Sequence, residues 1–224
     1  MSGLSMSDKE MGQWCSWFES FSKELLVDTD EPLVAKEVNF AENQLTSSGV
    51  RLLLQTLARI KIAVQVLKLF HNKVEDGVGI ADYILTCDGT LQELHISHNE
   101  LSTAAAVTIL LAVAAAKGAG GEPCYPRLNS LPVLIHSRRS NGRGASPLWL
   151  RLEQNCLDQA LLTERVDKGF AQLQRPGRAM CNVTNRACTP HCCARHRPDT
   201  PAIHVKHLGN QRRRSSNGAS SSSE

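Results

Sequence analysis

Four asparagines recur along this chain at a regular interval, and each closes the same pattern of apolar residues. Asn43, Asn72, Asn99 and Asn155 end the segments VNFAEN, LKLFHN, LHISHN and LRLEQN. Successive asparagines are 29, 27 and 56 residues apart, and the last interval is close to two periods of 28. A fixed period of this length indicates a stack of similar units rather than a fold built around one centre.

Each unit is predicted to begin with a short strand. Counting back from the asparagine, positions −5 and −3 are apolar in all four units, and this spacing puts both side chains on one face of a strand. The pairs are Val38 and Phe40, Leu67 and Leu69, Leu94 and Ile96, and Leu150 and Leu152. A helix-period run follows, such as Val50, Leu53, Leu54 and Leu57 in the first unit. One strand–turn–helix unit cannot bury its apolar face alone, so the units are expected to stack.

The repeated L-x-L-x-x-N-x-L pattern resembles that of the ribonuclease-inhibitor-like class of leucine-rich repeats over residues 35–116 and 147–165. The resemblance implies an α/β solenoid, a short horseshoe with parallel strands on its concave side and helices on its convex side. We expect the four asparagine side chains to bond backbone groups at the strand ends, because an unsatisfied buried amide costs roughly 1–3 kcal/mol. The box PLWLRLEQN, with PAIHVKHL further on, is also similar to repeat proteins of dinoflagellates and related protists.

The chain divides into six segments by pattern and composition. Residues 1–34 hold an N-terminal tail and an amphipathic cap helix, 35–116 three repeats, 117–146 a Gly/Pro/Ser/Arg-rich insertion, 147–175 the last repeat and a C-terminal helix, 176–208 a basic Cys/His-rich segment, and 209–224 a disordered Ser/Arg tail. The aromatic helix predicted over 11–27 is expected to cover the first repeat, and a partner-binding helix is the alternative. The insertion is interpreted as loop; a degenerate repeat or an incorrect gene model are the alternatives.

Composition argues against a membrane or secreted protein. The first ten residues are polar, and the longest apolar run, near 107–116, is too short to span a bilayer. The eight cysteines are therefore expected to be thiols or metal ligands rather than disulfides. We expect a cytoplasmic location, with the nucleus as the alternative, and no membrane partner.

Side chains at positions −4 and −2 predict a binding surface on the concave side, because they alternate with the core positions. Phe70 and Trp149 lie near Lys68 and Arg151, and exposed aromatic residues beside cations are common anchors of protein interfaces. The predicted partner-binding residues are Lys68, Phe70, His71, His95, Ser97, Trp149, Arg151 and Glu153. The alternative is that Phe70 and Trp149 pack against the insertion or a terminal segment.

A Cys/His cluster near the C-terminus predicts a second site. Zinc takes four thiolate or imidazole ligands in a tetrahedron, and short loops can supply them. The predicted ligands are Cys181, Cys188, Cys192 and His196, with His191 and Cys193 as alternates, in a spacing that resembles a shortened CCCH finger. The alternative is a metal-free tail with incidental cysteines.

The basic end of the chain supports an alternative function. The net charge is only +3, yet residues 175–224 hold nine Lys and Arg against two acidic residues. Arg195, Arg197, Arg212, Arg213 and Arg214 are the residues predicted to contact RNA phosphates. This segment has no aromatic residue on which bases could stack. An RNA-binding adaptor is therefore the alternative to a protein-binding scaffold.

Catalytic motifs are absent from the sequence. It contains no G-x-S-x-G, P-loop, H-E-x-x-H or dinucleotide fingerprint. We predict that the chain is not an enzyme, takes no small-molecule substrate, and binds another protein through its concave repeat face.

Overall fold

The computed structural model describes residues 1–25, 33–135, 138–181, 200–206 and 208. The helices in this part are α1 (Asp8–Leu25), α2 (Ser47–Arg59), α3 (Val78–Thr86), α4 (Thr103–Ala115) and α5 (Gln159–Gln172). The strands are β1 (Leu33–Asn39), β2 (Ile62–Lys68), β3 (Glu93–His95), β4 (Arg127–Ile135), β5 (Arg138–Ser146), β6 (Leu148–Arg151) and β7 (Ile203–Lys206). None of the five described helices is both long and apolar enough to span a membrane.

Five of the strands form one sheet in the order β1-β2-β3-β6-β7, and every neighbouring pair is parallel. Parallel neighbours require a crossover, and α2, α3, α4 and α5 lie in the connections between successive strands of this sheet. The sequence prediction of an α/β chain with parallel strands is confirmed.

The strand register aligns equivalent positions of the units in rows. Leu67 pairs with Val38 on one side and with Leu94 on the other, and Leu150 pairs with Leu94 and Val205. All of this row except the half-buried Val38 is fully buried, in a single core that also takes in the apolar faces of the helices. The apolar residues at every second position of the strands therefore pack with the apolar faces of the helices in one layer.

Three of the helices begin at a capping side chain. The Thr46 side chain accepts a hydrogen bond from Ser48 N, that of Ser102 from Ala105 N, and that of Asp158 from Leu161 N. These caps satisfy backbone N–H groups that have no partner inside the helix. Each cap lies three residues after a repeat asparagine, so strand end and helix start are separated by the same short turn.

Helix α1 begins at Asp8, earlier than predicted, and packs against α2 at the β1 end of the sheet. Met11 and Cys15 are buried in the core. The Trp14 ring stacks on Phe18 with ring centroids 4.7 Å apart and meets Phe40 edge-on at 4.9 Å. Helix α1 thus covers Phe40 of the first unit through Trp14.

Two regions differ from the loop and tail expected from composition. The 117–146 insertion contains an antiparallel hairpin in which β4 pairs with β5. The 176–208 segment supplies β7, whose Ile203 and Val205 are buried beside β6. Met180 forms a parallel bridge to Ile203. The strand β7 forms on the β6 edge, whereas β4 and β5 pair only with each other in a separate two-stranded sheet.

Candidate binding face of the sheet

Each repeat asparagine links its own strand end to an earlier loop. Asn99 Oδ1 accepts from Val74 N at 3.0 Å, and its Nδ2 donates to Leu69 O at 2.9 Å. Asn72 and Asn155 accept in the same way from Leu45 N and Leu101 N, and Asn43 accepts from Leu4 N and Met6 N. All four side chains are at most 7% exposed. Equivalent hydrogen bonds therefore connect the end of each strand to the unit before it.

The residue before each asparagine has a left-handed backbone. Glu42, His71, His98 and Gln154 have φ values of 57°, 54°, 54° and 59°. Non-glycine residues pay a penalty of roughly 1–2 kcal/mol in this region, which the asparagine hydrogen bonds help to offset. The turn brings the rings of His71 and His98 into a stack, with centroids 4.1 Å apart.

Along each strand, every second residue points away from the core, and we call the sheet surface formed by these residues the polar face. Its residues lie in three rows that run across the strands. The first row is Glu37, Val66, Glu93, Trp149 and His204; the second is Asn39, Lys68, His95, Arg151 and Lys206; the third is Ala41, Phe70, Ser97 and Glu153. Side chains that are far apart in the sequence are therefore neighbours on this face.

Cations of the second row are mostly balanced by carboxylates. Lys68 Nζ lies 2.7 Å from Glu37 Oε2, and Arg151 Nε donates to Glu153 Oε1 at 2.7 Å. Lys206 instead places its ammonium 5.6 Å from the centroid of the Trp149 ring. The face therefore carries fixed charges of both signs rather than a one-sign patch.

His95 lies at the centre of the polar face. Its Nε2 is 3.0 Å from Glu93 Oε2, and Trp149 meets its ring edge-on with centroids 5.2 Å apart. Burial lowers the pKa of His95, with smaller contributions in the same direction from Arg151 and Lys68, while Glu93 opposes them. The imidazole is consequently neutral near pH 7.

Two buried polar atoms of the face have no hydrogen-bond partner among the described residues. They are Trp149 Nε1, a donor, and Glu153 Oε2, an acceptor. Both residues belong to the segment of β6 and the turn after it, and Glu153 is only 4% exposed. Such atoms cost roughly 1–3 kcal/mol each when they stay unpaired.

The structure brings together most of the partner-binding residues predicted from the sequence. Lys68, His95 and Arg151 are neighbours in the second row, and Phe70 and Ser97 are neighbours in the third. His71 lies at the turn instead of on a strand. Three of the predicted residues, His95, Ser97 and Glu153, are only 8%, 2% and 4% exposed. Parallel strands lie about 4.8 Å apart, so bulky neighbours cover smaller or shorter ones.

Sequence reasoning missed Lys206 and His204 as members of this face. Part of the signal was present, because Val205 and Asn210 match positions −5 and 0 of the pattern, although position −3 is His207 instead of an apolar residue. Asn210 stands 55 residues after Asn155, again close to two periods. Residue 210 itself lies outside the described residues.

The predicted zinc and RNA residues lie mostly outside the described residues. Cys181 is described and buried, and its Sγ accepts a hydrogen bond from Val205 N at 3.4 Å. The remaining ones, which are not described, are Cys188, His191, Cys192, Cys193, Arg195, His196, Arg197, Arg212, Arg213 and Arg214. The described residues alone contain no cluster of three or more potential metal ligands.

In comparisons with known proteins, no protein-family model, no curated protein and no solved structure matches this chain.

Proposed function

We propose that this chain is a short solenoid of ribonuclease-inhibitor-like leucine-rich repeats. The proposal is supported by the parallel strand order and by four asparagines that bond in the same way. It is also supported by the left-handed residue before each asparagine. The two long connections, 116–147 and 173–202, both fall between a helix and the next sheet strand. Insertions at that point leave each strand–turn–helix unit intact.

The function that we propose is recognition of another protein through the polar face. The observation that carries it is the pair of atoms without a partner among the described residues, Trp149 Nε1 and Glu153 Oε2, on the same face as the half-buried aromatic side chain of Phe70. Aromatic residues flanked by cations are frequent energetic anchors of interfaces. A partner that covers this face would supply the missing acceptor and donor and bury Phe70 further.

The chemistry of the face favours a polypeptide over a polyanion. Trp149 and Glu153 are four residues apart, or about 13 Å along an extended chain. One needs an acceptor and the other a donor, and a polypeptide offers both through its backbone. Nucleic-acid phosphates offer acceptors only, and the ion pairs of Lys68 and Arg151 leave little net positive charge for them.

Site-specific photocrosslinking tests where the partner binds. A benzophenone amino acid replaces Phe70 in one variant and Leu85, an exposed residue of α3, in the control. We expect a discrete protein crosslink from position 70 only, in lysate of the native organism, followed by identification of the partner. Equal crosslinks from both positions, or none from position 70, would contradict the proposed face.

The Kd of the identified partner for variants of the chain then tests whether Phe70 and Trp149 contribute to binding. Phe70→Ala should weaken binding at least tenfold, and Trp149→Phe, which keeps a ring but removes the N–H, about five- to tenfold. Trp17→Ala is the matched control, because Trp17 is exposed on α1, away from this face. Unchanged affinity in both face variants would refute the proposal.

Salt dependence separates the RNA-binding alternative. Binding to RNA through the basic tail should weaken steeply between 50 and 200 mM salt, as expected for about five or more phosphate contacts. Replacement of Arg212, Arg213 and Arg214 by Gln should flatten that slope. If RNA binds in this way and Phe70→Ala changes nothing, the adaptor function replaces the scaffold function.

A further inference from the structure

A cavity of about 660 Å³ opens at the amino ends of the sheet strands. It lies between the loop after α3, the start of the β4–β5 hairpin, the end of α5 and the residues before β7. The polar-face rows are formed by strand and turn residues that do not line it. This size is typical of small-molecule sites, which usually span about 300–1,000 Å³.

The cavity wall is mostly apolar. Tyr125 is fully buried, and Phe170, Pro123, Pro126 and Leu128 add further apolar surface. The Tyr125 hydroxyl is already used, because it donates to Leu91 O at 2.7 Å. The wall therefore offers a surface for an apolar body and few free hydrogen-bonding groups.

Arg175 is the exception. One of its Nη atoms donates to Ala114 O and the other to Tyr125 O, and its Cζ lies 5.9 Å from the Phe170 ring centroid. Its Nε is buried and has no partner within the described part of the chain. In that part, no carboxylate lies within ion-pair distance of Arg175. Among the described residues, this half-buried guanidinium therefore lines an apolar cavity without a carboxylate partner.

The surrounding charges favour an anion. Arg127 and Arg178 also line the cavity, against the acidic residues Asp88 and Glu122, which are exposed. Arg127 bonds the backbone oxygens of Gly89 and Thr90, so its guanidinium also lacks a carboxylate partner among the described residues. Among the described lining residues there are three guanidinium groups and two carboxylates, and Arg178 is exposed like both acids, so the net positive charge rests on Arg127 and Arg175.

We propose that this cavity binds a small organic anion with an apolar body, whose carboxylate or sulfonate group lies beside Arg175. The anion supplies a counter-ion that no described residue gives to the half-buried guanidinium, and the apolar body fills the space beside Phe170 and Leu128. The sequence analysis predicted no small-molecule substrate, and this proposal adds a small-molecule ligand. It is independent of the protein-binding function proposed for the polar face.

Two fluorescent probes with the same ring system test the role of charge. The full chain is titrated with 8-anilinonaphthalene-1-sulfonate and with its neutral analogue N-phenyl-1-naphthylamine. We expect one sulfonate probe per chain, with a Kd at least tenfold below that of the neutral analogue. Arg175→Gln should abolish this preference while the Kd of the neutral analogue stays within about twofold, and Arg175→Lys should retain part of it. Arg59→Gln, on the exposed side of α2, is the control.

Cysteine labelling of the wild-type chain locates the probe without any variant. Cys124 lines the cavity, whereas Cys156 is equally half-buried but lies elsewhere. We expect the sulfonate probe to slow alkylation of Cys124 by N-ethylmaleimide at least threefold and to leave Cys156 unchanged. Equal protection of both thiols, no protection of Cys124, or no preference for the anionic probe would each overturn the proposal. These three outcomes are measured on the wild-type chain, so they do not depend on whether Arg175→Gln folds.

Discussion

Asn99 illustrates how one side chain joins two units of the sheet. It is fully buried, accepts from Val74 N in the unit before it, and donates to Leu69 O and Ile96 O. Among short side chains, only the asparagine amide can donate two hydrogen bonds and accept another at the same time. The amide therefore holds its own turn and also ties that turn to the unit before it.

We predict that Asn99→Ala destabilises the chain by about 1–3 kcal/mol, because it leaves the buried Val74 N–H unpaired. Urea denaturation followed by circular dichroism measures the change. Gln55→Ala, on the exposed side of α2, is the control and should shift stability by less than about 0.5 kcal/mol. Equal midpoints for the two variants would show that the amide is dispensable.

His204 gives a second residue-scale prediction, which concerns pH. It is 1% exposed, and burial lowers its pKa to about 4, with a smaller contribution from Arg178. Below pH 6.5 the unfolded chain therefore binds a proton that the folded chain does not. The stability present above pH 6.5 is lost as the pH falls toward 4, by at most roughly 3 kcal/mol.

Denaturation at pH 7.0, 5.5 and 4.5 checks this pH dependence in the wild type and in His204→Gln. Other groups titrate in both proteins, so the difference between the two pH profiles is the relevant quantity. The variant should lose less stability between pH 7.0 and 4.5. Parallel profiles would mean that His204 is protonated equally easily in both states.

At the scale of elements, close packing of α3 on α4 depends on a glycine. A Cβ at Gly77, the N-cap of α3, would lie 2.5 Å from Ala105 O and 2.7 Å from Ile109 Cγ1. Backbone atoms cannot move aside as a flexible side chain can, so the two helices would have to separate. Gly12 in α1 is different, because the nearest atom to its Cβ position is Leu52 Cδ2 at 3.7 Å.

We predict opposite effects for the two glycines. Gly77→Ala should destabilise the chain by about 1–3 kcal/mol through overpacking. Gly12→Ala should stabilise it by up to about 1 kcal/mol, since alanine is the better helix former and has room there. Thermal denaturation of both variants beside the wild type measures the signs. A stabilising Gly77→Ala would show that α3 and α4 are not held at this distance.

For the whole molecule, the position of β7 matters most. It covers the β6 edge and buries Ile203 and Val205, and Leu208 after it is also buried. Each such side chain contributes about 1.5–3 kcal/mol when fully buried, against a total stability of about 5–15 kcal/mol for a typical domain. The sheet thus depends on a strand that the sequence placed in a basic tail segment.

Truncation tests this dependence. A chain ending at residue 199 should lose cooperative unfolding or aggregate, because the β6 edge and its apolar side chains become exposed. A chain ending at residue 214 keeps β7 and should unfold with nearly the wild-type midpoint. Similar midpoints for the two truncations would contradict a contribution of β7 to the sheet.

Much of the fold was predictable from local spacing. The pairs Leu67 and Leu69 or Leu94 and Ile96 indicated strands, and the runs after them indicated helices, because both periods are properties of the backbone itself. Part of the candidate site followed as well, since Lys68, His95 and Arg151 occupy the same position in three units. What local spacing could not predict was which of these side chains are covered by neighbours.

The sequence alone determined the repeat period, the strand and helix of the four predicted units, and the asparagines at the strand ends, because the spacing inside each unit is local and recurs in every unit. Only the tertiary structure decided that β7 completes the sheet, that His95, Ser97 and Glu153 are buried, and that Arg175 lines a cavity. These features arise from strand register and loop packing between segments tens of residues apart. The burial of a side chain is a property of all its neighbours, and most of those neighbours are distant in the chain.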